Sequence, residues 1–217
     1  GLAGAALLVL WCRLLALEPS IDASFRRVPD GRVVLQASGD PALQVAVGRV
    51  LAAVVGADGQ VAPPDSPVLA RSSRWVVDDT ARTDLHARQT LLSDLLRQPQ
   101  LMFQFDDGLQ VRATPRARGL PGLGAVAWLM GALALALYGA AVVVLLDRPN
   151  RSTAVYAALV LGQAVNLLLT SGETLPGLGL PPLPLRTDLV ARILADAVVA
   201  GSLVQVMMLY PHRLPLA

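Results

Sequence analysis

Between Leu120 and Leu146 the chain carries no charged residue (LPGLGAVAWLMGALALALYGAAVVVLL). A helix crosses a hydrocarbon core of about 30 Å with about 20 apolar residues. The run meets that length, and its lack of any charge disfavours a helix buried in a large soluble protein. Residues 153–171 (TAVYAALVLGQAVNLLLTS) are likewise uncharged, and 187–210 (TDLVARILADAVVAGSLVQVMMLY) place three charges in their first half. Residues 2–17 (LAGAALLVLWCRLLAL) are apolar with one Arg. They exceed a usual signal-peptide core and show no Ala-x-Ala site before Glu18-Pro19, so they read as a retained anchor helix. Four membrane segments are expected: 1–17, then 120–146, 153–171 and 187–210 within a membrane region of 120–217. Only 16% of the residues are charged and the mean hydropathy is +0.54, whereas soluble domains carry about 25% charged residues.

The remaining stretch, residues 18–119, is different in kind. It holds 12 Arg and 12 Asp or Glu, so it is electrically balanced. Turn signals at Pro29-Asp30-Gly31, Asp58-Gly59 and Asp106-Asp107-Gly108 mark a folded domain. Residues 25–28 and 32–36 read as a hairpin. Asp40 is placed to cap a short helix over 41–47, with Pro41 at its first position. Residues 50–55 read as a strand, 62–73 as a Pro- and Ser-rich loop, and 81–97 as an amphipathic helix ended by Pro99. Residues 101–105 and 109–113 flank Asp107-Gly108, a two-residue hairpin signal. The fold class expected is therefore α+β: a small αβ domain beside a bundle of about four transmembrane helices.

The short loops orient the chain. Arg148 and Arg151 lie between the second and third segments, and Arg213 follows the fourth, whereas the loop 172–186 has no base before Arg186. Short Arg-bearing loops stay in the cytoplasm. Residues 18–119 and 172–186 are thus expected outside, and the chain is expected to be a multi-pass protein of the bacterial cytoplasmic membrane. The basic residues are all Arg and 14 of the 16 acids are Asp, a bias of GC-rich bacterial coding. The net charge of +2 comes without a basic block, which argues against nucleic acid as a partner. The chain starts at Gly and stops at Leu-Pro-Leu-Ala, as a piece of a longer protein would.

Chemistry-bearing motifs are sparse. There is no His-Glu-x-x-His, no Gly-x-x-x-x-Gly-Lys and no Gly-x-Ser-x-Gly. No catalytic, cofactor or metal residue is assigned. His86 is expected on the domain surface, His212 at the membrane interface, and the single Cys12 within an apolar helix, where it forms no internal disulfide. The informative groups are polar ones at membrane depth, where a charge costs about 2.5–3.5 kcal/mol on insertion scales. Arg192 and Asp196 are four apart on one helix face. Counting from the segment ends sets Gln163 level with Asp196 and Asn166 level with Arg192. An interhelical cluster of Gln163, Asn166, Arg192 and Asp196 is expected, acting as helix glue or as a signal relay. Small residues at Ala132, Ala136 and Ala140, and at Ala154, Ala158 and Gly162, offer stripes for close helix approach.

The run SGDPALQVAVGRVLAAVVGADG over 38–59 resembles the central pattern of PDZ domains. Pro41-Ala42 match the pair that opens the family's short helix, Gly48 matches the second Gly of its Gly-Leu-x-x-Gly-Asp step, and Gly56 ends the strand that follows. Arg49 stands where the family has Asp, and its carboxylate-binding Gly-rich loop has no counterpart. The resemblance thus implies a degenerate PDZ-like domain used for packing or sensing. An anchor, an outward PDZ-like domain and a run of membrane helices, closing with LVQVMMLYPHRLP, is similar to the input region of some bacterial sensor histidine kinases. That resemblance implies a two-component signal-input module, a homodimer responding to a peptide or small-molecule signal, and a kinase domain with ATP as its cofactor beyond Ala217. The rivals are a structural or assembly subunit of a membrane complex that docks through the outer domain, and an accessory fragment of a transporter or peptidase.

Overall fold

A computed structural model describes residues 2–63, 69, 72, 76–147, 149–179 and 182–209, with side chains in the last helix from 187 to 208. Arg148, Pro211, His212 and Arg213 lie outside the described residues, as do the side chain of Arg186 and most of the expected 62–73 loop. The chain is mixed helix and sheet and divides into two compact units. One comprises 1–11, 125–172 and 188–217, and the other 12–124 and 173–187.

Among the described residues the second unit carries all the strands: β1 (Pro19–Ser20), β2 (Ala23–Arg27), β3 (Val33–Ser38), β4 (Leu51–Gly56), β5 (Val61–Ala62), β6 (Leu101–Phe105), β7 (Gln110–Ala113) and β8 (Arg116–Ala117). A four-stranded antiparallel sheet has the order β5-β4-β6-β7, β2 pairs with β3, and β1 pairs with β8. A bridge from Val34 to Val50 joins the β2–β3 hairpin to the start of β4. Inward residues alternate along the strands, as a half-buried sheet requires. Val33, Leu35, Leu51, Val54, Leu101 and Phe103 share one core, and Phe25 stacks on Phe103 with ring centroids 6.2 Å apart.

Three hairpins close with the same device. In each, a loop of three residues ends in a glycine of positive φ: Gly31 (88°), Gly59 (81°) and Gly108 (85°). The Asp before each glycine accepts from the backbone N–H of the residue after it, Asp30 from Arg32 at 3.1 Å, Asp58 from Gln60 at 3.0 Å and Asp107 from Leu109 at 3.1 Å. A left-handed third residue lets a turn of ordinary hand join two twisted strands. The loop at 106–108 therefore has three residues, since Phe105 N–H bonds to Leu109 C=O, and not the two that Asp107-Gly108 suggests.

Among the described residues, two α-helices lie wholly within this unit. The first, α2 (Pro41–Gln44), is capped by Asp40, whose carboxylate accepts from Ala42 N–H at 2.9 Å. It is one turn long and ends before the expected 47, because the chain turns at Gly48 with φ +87° to bring Arg49 C=O to Leu35 N–H. The second, α3 (Asp79–Leu96), is capped by Asp78 and buries Leu85, Leu92, Leu95 and Leu96.

The first unit is built on helices. Three of them, α4 (Ala125–Asp147), α5 (Arg151–Glu173) and α6 (Pro182–Leu209), are long and apolar enough to cross a membrane, α6 over Thr187–Met208. The N-terminal helix α1 (Leu2–Leu17) is apolar but shorter, at 16 residues. Its residues 2–11 belong here: Leu8 lies where a Cβ on Gly131 would point, Gly4 lies against Tyr138, and Trp11 Nε1 donates to Ser171 Oγ at 3.2 Å. A reciprocal cap starts α5, with Asn150 Oδ1 accepting from Thr153 N–H and Thr153 Oγ1 from Asn150 N–H. The helices overrun the apolar segments: α5 reaches Glu173, and α6 starts at Pro182, where proline suits a first turn.

The close-packing faces differ from the expected stripes. Ala132, Ala136 and Ala140 are exposed, as is Ala154. The buried small residues are Ala127, Gly131, Ala134 and Ala141 on α4, and Ala157, Gly162, Ala164, Ser171 and Gly172 on α5. Gly162 does mark a tight approach, for a Cβ there would lie 2.6 Å from Val199 Cγ2 and 3.2 Å from Ala195 O.

Candidate functional site

Asn166 and Thr170 of α5 meet Asp188, Arg192 and Asp196 of α6 along one seam. Asn166 Nδ2 donates to Asp196 Oδ1 at 2.8 Å. One turn nearer the start of α6, Arg192 Nη1 donates to Thr170 Oγ1 at 3.2 Å, and Thr170 Oγ1 in turn donates to Asn166 C=O at 2.8 Å. Arg192 Nε also donates to Asp188 Oδ1 at 2.7 Å. Arg192 is 4% exposed and Asp188 8%, so this ion pair is buried. Asn166 Oδ1 is buried with no hydrogen-bond partner among the described residues.

Of the four residues expected to cluster, Asn166, Arg192 and Asp196 lie on this seam and Gln163 does not, being exposed on α5. The levels are shifted by about one turn from the expected ones, with Asn166 facing Asp196 and Thr170 facing Arg192. Both helices extend beyond their apolar segments, which shifts the levels of the polar residues. Arg192 takes Asp188 as its partner along the helix. An acid one turn N-terminal to a base is the better orientation, because both charges then complement the helix dipole. Thr170 and Asp188 were missed by sequence reasoning. The available signal was an Asp-x-x-x-Arg-x-x-x-Asp run opposite the Asn-x-x-x-Thr of α5.

The strand-bearing unit holds a second candidate, a cleft of about 770 Å³ lined in part by Asp22, Ser24, Ser38, Asp40, Arg116 and Arg118. A lining that carries both carboxylates and guanidiniums, with several hydroxyls, suits a small zwitterionic or peptide-like molecule. Ser38 Oγ is committed to Asp22 C=O at 2.8 Å, and Asp40 to its capping role. Arg118 Nη1 donates to Pro176 C=O at 2.6 Å, while its Nε is buried without a partner among the described residues. Burial pushes this guanidinium below its ordinary value, and Glu18 nearby works against that shift.

The residues of the PDZ-like pattern have structural roles in this unit. Pro41 and Ala42 begin α2. Gly48 holds the left-handed turn before β4. Gly56 ends β4 where a Cβ would strike Leu95 and Gln98. His86, expected at the surface, is half-buried on α3, and Cys12 is half-buried and free. Among the described residues no group of three His, Cys, Asp or Glu could hold a metal. Comparisons with protein-family models, curated proteins and solved structures find no match for this chain.

Proposed function

We propose that this chain is the membrane-embedded signal-input region of a bacterial sensor histidine kinase, with residues 18–119 as a PDZ-like domain outside the cytoplasmic membrane. The observation that carries the reading is the seam in which Asp188, Arg192 and Asp196 of α6 meet Thr170 and Asn166 of α5. Ionisable groups at such depth are costly and mark paths along which a membrane protein works. A seam of directional bonds between two helices has discrete arrangements, as a relay needs.

Further features support the reading. The order hairpin, short Pro41-Ala42 helix, strand to Gly56, long helix and final hairpin is that of the PDZ-like pattern. Residues 174–179, between α5 and α6, group with 12–124 in one compact unit, which favours a common side of the membrane for both. ATP would serve the kinase domain beyond Ala217, and the working form would be a homodimer.

The test is autophosphorylation. Membranes bearing the protein encoded by the complete gene are incubated with γ-labelled ATP. An acid-labile phosphohistidine is expected, its rate shifting by about fivefold or more in Arg192→Ala or Asp196→Ala, as for a typical coupling between sites. No acid-labile phosphate, together with a coding sequence that lacks a His box after Ala217, would overturn the proposal and favour the assembly subunit.

A further inference from the structure

Gln163 sits near the middle of α5, about 15 Å from the nearer end at 1.5 Å per residue. Its side chain is exposed and makes no hydrogen bond among the described residues. α5 is long and apolar enough to cross a membrane, and there an exposed face meets hydrocarbon. A carboxamide against hydrocarbon leaves its donors and its acceptor unsatisfied, which is costly. At this depth the side chain is too short to reach the headgroups. A polar group facing it would remove that cost. Gln163 shares its face with other exposed residues, Ser152 and Tyr156, the latter 42% exposed. At 3.6 residues per turn these three fall within about 40° of one another. With the half-buried Leu159 they follow the alternating spacing of four and three at which two helices pack side by side. The other faces are taken: Ala157 and Val160 share a core with Ala141 of α4, while Gly162 and Asn166 lie against α6.

We propose that the Ser152–Tyr156–Gln163 face of α5 is the contact between two parallel copies of this chain, the Gln163 side chains exchanging hydrogen bonds across the two-fold axis. Copies inserted the same way up bring each residue opposite itself at equal depth, so a mid-depth glutamine meets a mid-depth glutamine. A carboxamide both donates and accepts, so two of them satisfy each other. Residues 153–171 carry no charge, so two identical faces do not repel. One amide at the seam of two parallel helices also fixes their register and number. The proposal rests on the membrane placement of α5 and gives the homodimer of the signalling reading its interface. Its test has no phosphorylation step, so its failure is distinct from that of the kinase reading.

The test is disulfide cross-linking of the chain in isolated bacterial membranes into which it has been inserted. Cys12, the single cysteine, is first changed to Ser. A new thiol is then placed on the proposed face by Ser152→Cys, or by Ala154→Cys, which is exposed on the opposite side at nearly the same level. Mild oxidation is expected to give a product of twice the chain mass from Ser152→Cys and little from Ala154→Cys. At low expression the dimer fraction follows the association constant. Adding Gln163→Leu, which keeps the helix and removes the amide, is expected to lower the Ser152→Cys product by about tenfold. Gln163→Asn keeps an amide and is expected to lower it less. No dimer from Ser152→Cys would overturn the proposal, as would equal products from the two thiols. So would a Gln163→Leu yield equal to the parent's, or a cross-link from Ser152→Cys to a different protein in place of the dimer.

Discussion

Asn166 and Asp196 face each other across α5 and α6, the amide of one donating to the carboxylate of the other at 2.8 Å. Replacing Asp196 with Ala removes the acceptor, whereas Asp196→Asn keeps one. The alanine variant is expected to lose about 0.6 kcal/mol, with about 1.7 kcal/mol as the upper end for bonds between membrane helices. The asparagine variant should lose less. Unfolding in mixed micelles of both variants, of Asn166→Ala alone, and of Asn166→Ala with Asp196→Ala together reads the coupling directly.

A larger loss is expected where the charge is buried. Asp188 and Arg192 form an ion pair at 2.7 Å with both residues under 9% exposed. Arg192→Ala leaves a carboxylate in a dry environment, a change that costs about 3–5 kcal/mol. Adding Asp188→Ala should recover most of that loss. A double variant no more stable than the single one would show that the pair is not the dominant interaction of Arg192.

Gly162 sets how closely α5 and α6 approach, since a Cβ there would meet Val199 and the Ala195 carbonyl. Gly162→Leu is expected to destabilise the helical unit by about 1–3 kcal/mol through overpacking. Ala136→Leu, on the exposed face of α4, should leave the unfolding midpoint unchanged.

The hairpin turns give a further expectation. Gly108→Ala forces a β-carbon into a φ of +85°, a penalty of about 1–2 kcal/mol for left-handed backbone. Gly108→Asn should cost less, because asparagine tolerates that region better. Thermal unfolding followed at the strand-bearing unit separates the two.

Acid should weaken the same turns. The Asp58 carboxyl is held below its ordinary value by the Gln60 backbone N–H and then by the Gln98 side chain, and Asp30 by the side chain and then the backbone of Arg32. A depressed carboxyl contributes stability that is complete above the unfolded value, about 3.9, and is lost as pH falls through the lower folded value. The unfolding midpoint should therefore drop as pH is lowered below about 4, and Asp58→Asn should flatten that drop.

Much of the strand-bearing unit could be read along the chain, because its elements are set locally. Asp40 and Pro41 start a helix by capping, and the three Asp-Gly turns fix their hairpins through backbone conformation. The seam between α5 and α6 was legible in type and not in pairing. Arg192 has an Asp four residues away on either side, and apolar boundaries do not give helix ends to within a turn. The Ala132 stripe failed for a related reason: in so alanine-rich a helix, a spacing of four does not select a face. The burial of Leu175 and of 177–179 was not legible, since a Pro- and Gly-rich loop reads as solvent-exposed from its composition.

The Asp-Gly turns also bear on how the strand-bearing unit assembles. β4–β5 and β6–β7 each join neighbours in the chain, and such hairpins form in about 1–10 μs. β4 and β6 pair across the whole of α3, Leu51 with Phe105 at one end and Gly56 with Leu101 at the other. Closing that long loop demands entropy that no turn residue repays in advance. The speed at which the sheet forms is thus governed by the meeting of its two central strands, and its edges wait ready-made.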